Sequence, residues 1–230
     1  MDVIFLHGTT QSPAGWGRVT DLLDGLGHRT FRPDLRTDHP DMVDADHIDL
    51  VRGQVAGDVR DPVVVAHSGA GLLLPAVARA LGARHTVWVG AAIPDRGGAT
   101  FLDQVAAAGG DMFCEEWRGL TEPPTEDPVT AAYFLFHDCD LATLRWGLST
   151  VRLWHPMGLY GQVPDPFDPP AATFVVPTRD RTMRPEWMRR AAREQLGARV
   201  VEIDAGHCPQ VSRPREIAEL VHGLDVPPTP

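Results

Sequence analysis

Two of the twenty amino acids are missing from this 230-residue chain, which has no lysine and no asparagine. All 21 of its basic residues are therefore arginine. Without lysine there is no Schiff-base chemistry and no P-loop lysine. Without asparagine there is no N-glycosylation sequon. Cysteine is scarce as well: Cys114, Cys139 and Cys208 are an odd number with no metal-ligand spacing, and reduced thiols in a cytosol are their simplest account. Positive charge is in deficit, and a net charge of −10 disfavours nucleic acid and anionic membrane, both of which need a basic face. No apolar run approaches the length needed to cross a bilayer. The chain opens directly on the strand-like Asp2-Val3-Ile4-Phe5-Leu6, so no signal peptide is expected ahead of the fold. These absences lead to the expectation of a soluble, cytoplasmic protein with no cofactor, no metal and no nucleic-acid or membrane partner. Oligomeric state has no signal in the sequence.

What is present is an ordinary globular composition, 43% hydrophobic and 23% charged, long enough for one domain with an insertion. Short apolar runs alternate with helical stretches. Strands are predicted at 3–6, 29–32, 63–66, 85–91, 172–176 and 198–203. Helices are predicted at 16–26, 44–59, 72–81, 185–196 and 214–223. Continuous apolar strands alternating with helices imply an α/β fold, a mostly parallel sheet of about six strands covered on both faces. Ligands on such sheets bind beyond the carboxyl ends of the strands.

Residues 111–164 interrupt this rhythm and carry a large share of the aromatics. Stretches 130–137 and 141–153 look helical, and prolines bound the segment. It reads as a helical lid inserted into a core formed by residues 1–110 and 165–230. Some of its aromatics should pack the lid and others line an apolar pocket, with Phe113, Trp117, Phe134, Trp146 and Trp154 as the candidates for the lining. Val226-Pro227-Pro228-Thr229-Pro230 reads as a frayed tail.

The chemistry concentrates in three places. Ala66-His67-Ser68-Gly69-Ala70-Gly71 follows the apolar run Val63-Val64-Val65 and precedes a helix. A buried strand, a serine flanked by small residues and then a helix make a nucleophile elbow, with the hydroxyl exposed on a strained turn. The usual G-x-S-x-G has become A-x-S-x-A-G, but the small side chains that the turn requires remain. A serine needs a base oriented by a carboxylate. His207, in Asp204-Ala205-Gly206-His207-Cys208-Pro209, and Asp180, in Pro177-Thr178-Arg179-Asp180, each stand just beyond a predicted strand. The chain order Ser68, Asp180, His207 is the one this architecture uses. Backbone N–H groups of Gly69 and of Thr9, in His7-Gly8-Thr9-Thr10, are the expected oxyanion donors.

These motifs make the chain resemble the α/β-hydrolase-fold superfamily. It is most similar to the small lid-bearing group that includes plant-type methyl esterases, hydroxynitrile lyases and their bacterial relatives. The matching pieces are Phe5-Leu6-His7-Gly8 with Trp16, the elbow, Asp180, and Ala205-Gly206-His207-Cys208-Pro209 with Ser212-Arg213-Pro214. In the lid they are Phe136-His137-Asp138-Cys139 with Trp146. The resemblance implies a serine hydrolase that cleaves a carboxylic ester, or a related acyl compound, of a small to medium, largely apolar substrate through an acyl-serine intermediate. It also implies an alternative, a lyase or eliminase of specialised metabolism that uses the same triad without an acyl-enzyme. A non-enzymatic receptor on this fold is a third reading.

Several residues have blander roles open to them. Asp95 and Asp204 compete with Asp180 for the role of acid. His7 and His67 are expected to shape the loop and the elbow. The run His137-Asp138-Cys139-Asp140 resembles metal ligands superficially, and capping of a lid helix is the simpler reading. Cys208 reads as packing.

Overall fold

The valine-rich runs pair into a single sheet. In the computed structural model, which describes residues 1–36, 38–168 and 170–225, the strands are β1 (Asp2–Leu6), β2 (Arg29–Phe31), β3 (Val63–His67), β4 (His85–Val89), β5 (Ala171–Pro177) and β6 (Arg199–Ile203). Their order is β2-β1-β3-β4-β5-β6, and every neighbouring pair is parallel. The tail expected at 226–230 lies outside the described residues.

Alternation along each strand divides the core in two, because successive side chains point to opposite faces. Ile4, Leu6, Val64, Ala66, Trp88 and Phe174 face one layer, with helices Asp44–Gln54, Leu74–Ala80 and Pro185–Leu196 packed over it. Val3, Phe5, Val63, Val65, Val87 and Val175 face the other, under helices Gly17–Gly25 and Pro214–Gly223. All five residues of β3 are buried, so the strand that delivers Ser68 is fixed from both sides. Each fully buried Val, Leu or Ile contributes roughly 1.5–3 kcal/mol.

Two helices are shorter than their periodicity suggests. The one expected over 44–59 stops at Gln54, where Gly53 weakens the last turn. The one expected over 72–81 is a 3-10 turn at Ser68–Leu72 followed by Leu74–Ala80, because Pro75 is accepted only in a first helical turn.

Between β4 and β5 the chain runs through helices Phe101–Met112, Glu115–Arg118, Pro128–Leu135, Leu141–Thr150 and Met157–Gly161. The first of these lies largely ahead of the expected boundary at residue 111. Its Gly109-Gly110 pair weakens the helical signal. A capping box compensates: Asp103 N–H donates to Thr100 Oγ1 at 3.1 Å, and Thr100 N–H donates back to the Asp103 carboxylate at 3.2 Å. Ala131, Phe134, Leu135 and Phe136 form a third apolar cluster with Cys208 and Val211, which joins this excursion to the loop that carries His207. Among the described residues, no helix is long and apolar enough to cross a membrane.

Candidate active site

Ser68 leaves β3 with φ = 54°, a left-handed conformation uncommon for any residue with a Cβ. The turn closes because Gly71 lies against the next crossover. A Cβ there would stand 2.1 Å from the Ala92 carbonyl oxygen, a backbone atom that cannot yield. This contact, with Ala70 fully buried beside it, is the physical reason for the run of small residues.

Three strand ends then converge. Ser68 Oγ lies 3.0 Å from His207 Nε2, and His207 Nδ1 lies 2.7 Å from Asp180 Oδ2. Both partners of the serine are buried, with relative exposures of 2% for His207 and 6% for Asp180. Burial pushes the Asp180 carboxyl up, but the His207 charge and hydrogen bond outweigh it, helped by the Thr182 and Met183 N–H groups. The net result is a carboxyl held below its ordinary value. An ionised Asp180 takes the Nδ1 proton of His207 as a hydrogen bond and leaves Nε2 bare to accept from the serine.

The competing acids are occupied elsewhere. Asp95 accepts from Ala99 N–H at 2.9 Å and closes its own turn, and Asp204 pairs with Arg179 at 2.6 Å. His7 donates from Nδ1 to Gly8 O at 3.0 Å and accepts Leu35 N–H on Nε2 at 2.9 Å, so it braces the loop after β1. His67 is entirely buried, and its imidazole is pushed down to about 3, by burial first and by His207 second. It stays neutral. In the His137–Asp140 run, His137 donates to Arg179 O at 2.9 Å, and Asp140 caps helix Leu141–Thr150 through Thr143 N–H at 2.7 Å. Among the described residues, no group of three or more His, Cys, Asp or Glu is placed to hold a metal.

Thr9 and Gly69 both border the cleft above Ser68, and a Cβ on Gly69 would stand 2.6 Å from Thr9 Cγ2. The Thr9 loop is held from behind, because Trp154 N–H donates to Thr9 O at 2.8 Å and Arg152 N–H to Thr10 O at 3.2 Å.

The cleft, about 530 Å³ including its mouth, falls within the range used for small molecules. Phe101, Phe113, Trp117, Tyr160 and Met183 wall it, and among the described residues no acidic or arginine side chain lines it. Of the five aromatics expected in the lining, Phe113 and Trp117 are there. The other three are not. Phe134 packs edge-on against Trp117 with centroids 5.3 Å apart, in the cluster behind the wall. Trp146 lies under the Arg18 guanidinium at 4.2 Å. Trp154 is fully buried between the rings of His7 and His47, 5.7 and 5.5 Å away. Phe101, Tyr160 and Met183 are wall residues that the sequence reading does not reach, although the Thr100-x-x-Asp103 pattern signals a helix start that places Phe101. Burial pushes the Tyr160 phenol up to about 12.

A model of the alpha/beta hydrolase family matches residues 3–220. The chain belongs to that family. No curated protein matches this hydrolase-family chain in sequence. Among solved structures it is similar to a histidine-to-alanine variant of polyneuridine aldehyde esterase, with a TM-score of 0.79 at 16% identity over 98% of this chain and 99% of that one. A pyrethroid hydrolase from Sphingobium faniae gives 0.76 at 17% identity over 99% and 98%. A methylesterase from Arabidopsis gives 0.71 at 16% identity over 98% and 99%. At these identities the likeness speaks for the fold.

Proposed function

We propose that this family member is a serine hydrolase that cleaves the carboxylic ester of a small to medium, largely apolar substrate. The observation that carries the reading is the unbroken relay from Ser68 Oγ through His207 to buried Asp180, at 3.0 and 2.7 Å, with the serine in a left-handed turn. Ser68 Oγ attacks the ester carbonyl while His207 Nε2 takes its proton. The Thr9 and Gly69 N–H groups receive the developing oxyanion, and losing one such donor typically costs about 100–1000-fold in rate. The tetrahedral intermediate collapses to acyl-Ser68 as His207 returns the proton to the departing alcohol. Water, deprotonated by the same imidazole, then attacks the acyl group, and His207 passes that proton to the departing Ser68 Oγ as the acid leaves.

Residues 111–164 act as the lid of this site, contributing Phe113, Trp117 and Tyr160 to its wall. The uncharged wall favours neutral esters over ionic ones. The presence of an esterase and a pyrethroid hydrolase among the similar structures supports ester hydrolysis in general. A cytoplasmic location accords with three unpaired thiols.

The test is labelling with a serine-directed fluorophosphonate beside turnover of p-nitrophenyl esters of increasing chain length. Wild-type protein should take one phosphonate on Ser68 and release p-nitrophenol, and Ser68→Ala should do neither. Full turnover by Ser68→Ala would end this reading. A labelled Ser68 with no acyl-enzyme from any ester would turn it toward elimination chemistry.

A further inference from the structure

Thr182 makes contacts that the relay itself does not require. Its hydroxyl Oγ1 lies 2.8 Å from Asp180 Oδ1 and 2.7 Å from His207 Nδ1, while its N–H and that of Met183 reach the same Asp180 oxygen at 2.7 and 3.0 Å. The residue is 1% exposed, and its carbonyl accepts Cys114 N–H at 2.9 Å, which anchors it to the segment between β4 and β5.

The hydroxyl has one proton to give. An ionised Asp180 can only accept, so the Thr182 proton goes to Oδ1. A Thr182 lone pair is then left facing Nδ1–H of His207, which bifurcates between Asp180 Oδ2 and Thr182 Oγ1. The opposite arrangement, with Thr182 donating to a bare Nδ1, would set two acceptors, Nδ1 and Asp180 Oδ2, against each other at 2.7 Å. It would also put the imidazole proton on Nε2, facing Ser68.

We propose that Thr182 is a positioning residue of the relay, orienting the Asp180 carboxylate and supplying the second acceptor for the His207 imidazolium formed during the reaction. The proposal rests on the serine-hydrolase reading for its kinetic consequence, though not for its effect on His207. Hydrogen bonds to a charged donor are the stronger ones, so the Thr182 acceptor matters most when the imidazolium forms. Without the hydroxyl, Oδ1 keeps its two backbone N–H donors and Nδ1 keeps Asp180 Oδ2. What is lost is the one group that ties the carboxylate and the imidazole together. The titratable groups facing this imidazole are Asp180, neutral His67 at a ring distance of 4.8 Å and Ser68; Cys208 follows in its own loop, with Asp138 behind Gly206.

The experiment uses the full chain carrying Thr182→Val, which matches the shape, and Thr182→Ser, which keeps the hydroxyl. Both are read by kcat and KM for p-nitrophenyl acetate and by the downfield proton NMR signal of His207 Nδ1–H. Thr182→Val should lose about 10–100-fold in kcat with KM within about twofold, the range of a hydrogen bond to a charged group. Its Nδ1–H signal should move from the wild-type position, since one of that proton's two acceptors is gone. Thr182→Ser should stay within about threefold of wild type with the signal in place. An unmoved Nδ1–H signal in Thr182→Val, or a serine variant as impaired as the valine one, would overturn the proposal. If the valine variant does not fold, Thr182→Ala is read by the same criteria. Absence of ester turnover and of phosphonate labelling in wild type would sink the hydrolase reading, while the Nδ1–H signal would still decide the role of Thr182.

Discussion

His67 donates from Nε2 to the backbone carbonyl of His207 at 2.9 Å, with the two rings 4.8 Å apart. The residue before Ser68 thus holds the main chain of the residue whose Nε2 is hydrogen-bonded to the Ser68 hydroxyl. Its Nδ1 is buried without a hydrogen-bond partner, so a second proton there has nowhere to bond. Protonation of His67 is coupled to unfolding. The folded-state value of about 3 lies below the ordinary 6.5, so the stabilisation is complete above about pH 6.5 and is lost as pH falls toward 3. Urea unfolding of wild type and His67→Gln between pH 4 and 8 should show wild type losing stability relative to the variant as the solution is acidified. Parallel curves would contradict this.

The left-handed backbone at Ser68 has a stability consequence separable from its chemistry. Ser68→Gly relieves the Cβ clash and should stabilise by roughly 1 kcal/mol, a rise of about 2–4 °C in Tm for a chain of this size. Ser68→Ala keeps the clash, so its Tm should match wild type although ester turnover is gone. Equal melting temperatures for the glycine and alanine variants would show that the turn stores no strain.

The 2.6 Å separation between a Cβ placed at Gly69 and Thr9 Cγ2 makes a rescue experiment available. Gly69→Ala should push the Thr9 loop away from the site and reduce kcat by about 100-fold, the loss typical of one oxyanion donor. Thr9→Ser removes the obstructing methyl. The double variant should recover most of the lost rate, and failure to recover would place the damage outside this contact.

Phe113 and Phe134 come from the same segment yet should answer differently to truncation. Phe113→Ala widens the cleft and should lower kcat/KM about tenfold for long-chain p-nitrophenyl esters while sparing the acetate. Phe134→Ala empties the cluster shared with Cys208 and Val211 and should cost about 3–5 kcal/mol in urea unfolding. Chain-length selectivity should be unchanged in molecules that remain folded. A selectivity change in Phe134→Ala alone would reverse the assignment of the wall.

The sheet is legible in the sequence because a parallel strand covered on both faces must be apolar throughout, as Val63-Val64-Val65 is. Ser68, Asp180 and His207 are legible for a related reason, since each stands just past such a run. Thr182 is not. A hydroxyl two residues beyond Asp180 has no periodicity of its own, and its second partner lies 25 residues further along. The aromatics show a different limit. Phe113 and Trp154 look alike in sequence, and only the packing of Trp154 between His7 and His47 separates a wall residue from a core residue. Helix Phe101–Met112 is hidden by its paired glycines, and the contribution of Phe101 to the cleft is hidden with it.

The order of the strands bears on when Ser68, His207 and Asp180 are brought together during synthesis of the chain. Ser68 is placed by β3, paired on both sides, whereas His207 hangs from β6, an edge strand that pairs only with β5. A ribosome-bound chain can complete the Ser68 turn long before His207 exists. On the serine-hydrolase reading the hydroxyl then lacks its base, so an unfinished chain carries no activated nucleophile. Recovery of phosphonate labelling during refolding should therefore track the docking of β6 rather than the collapse of the central strands.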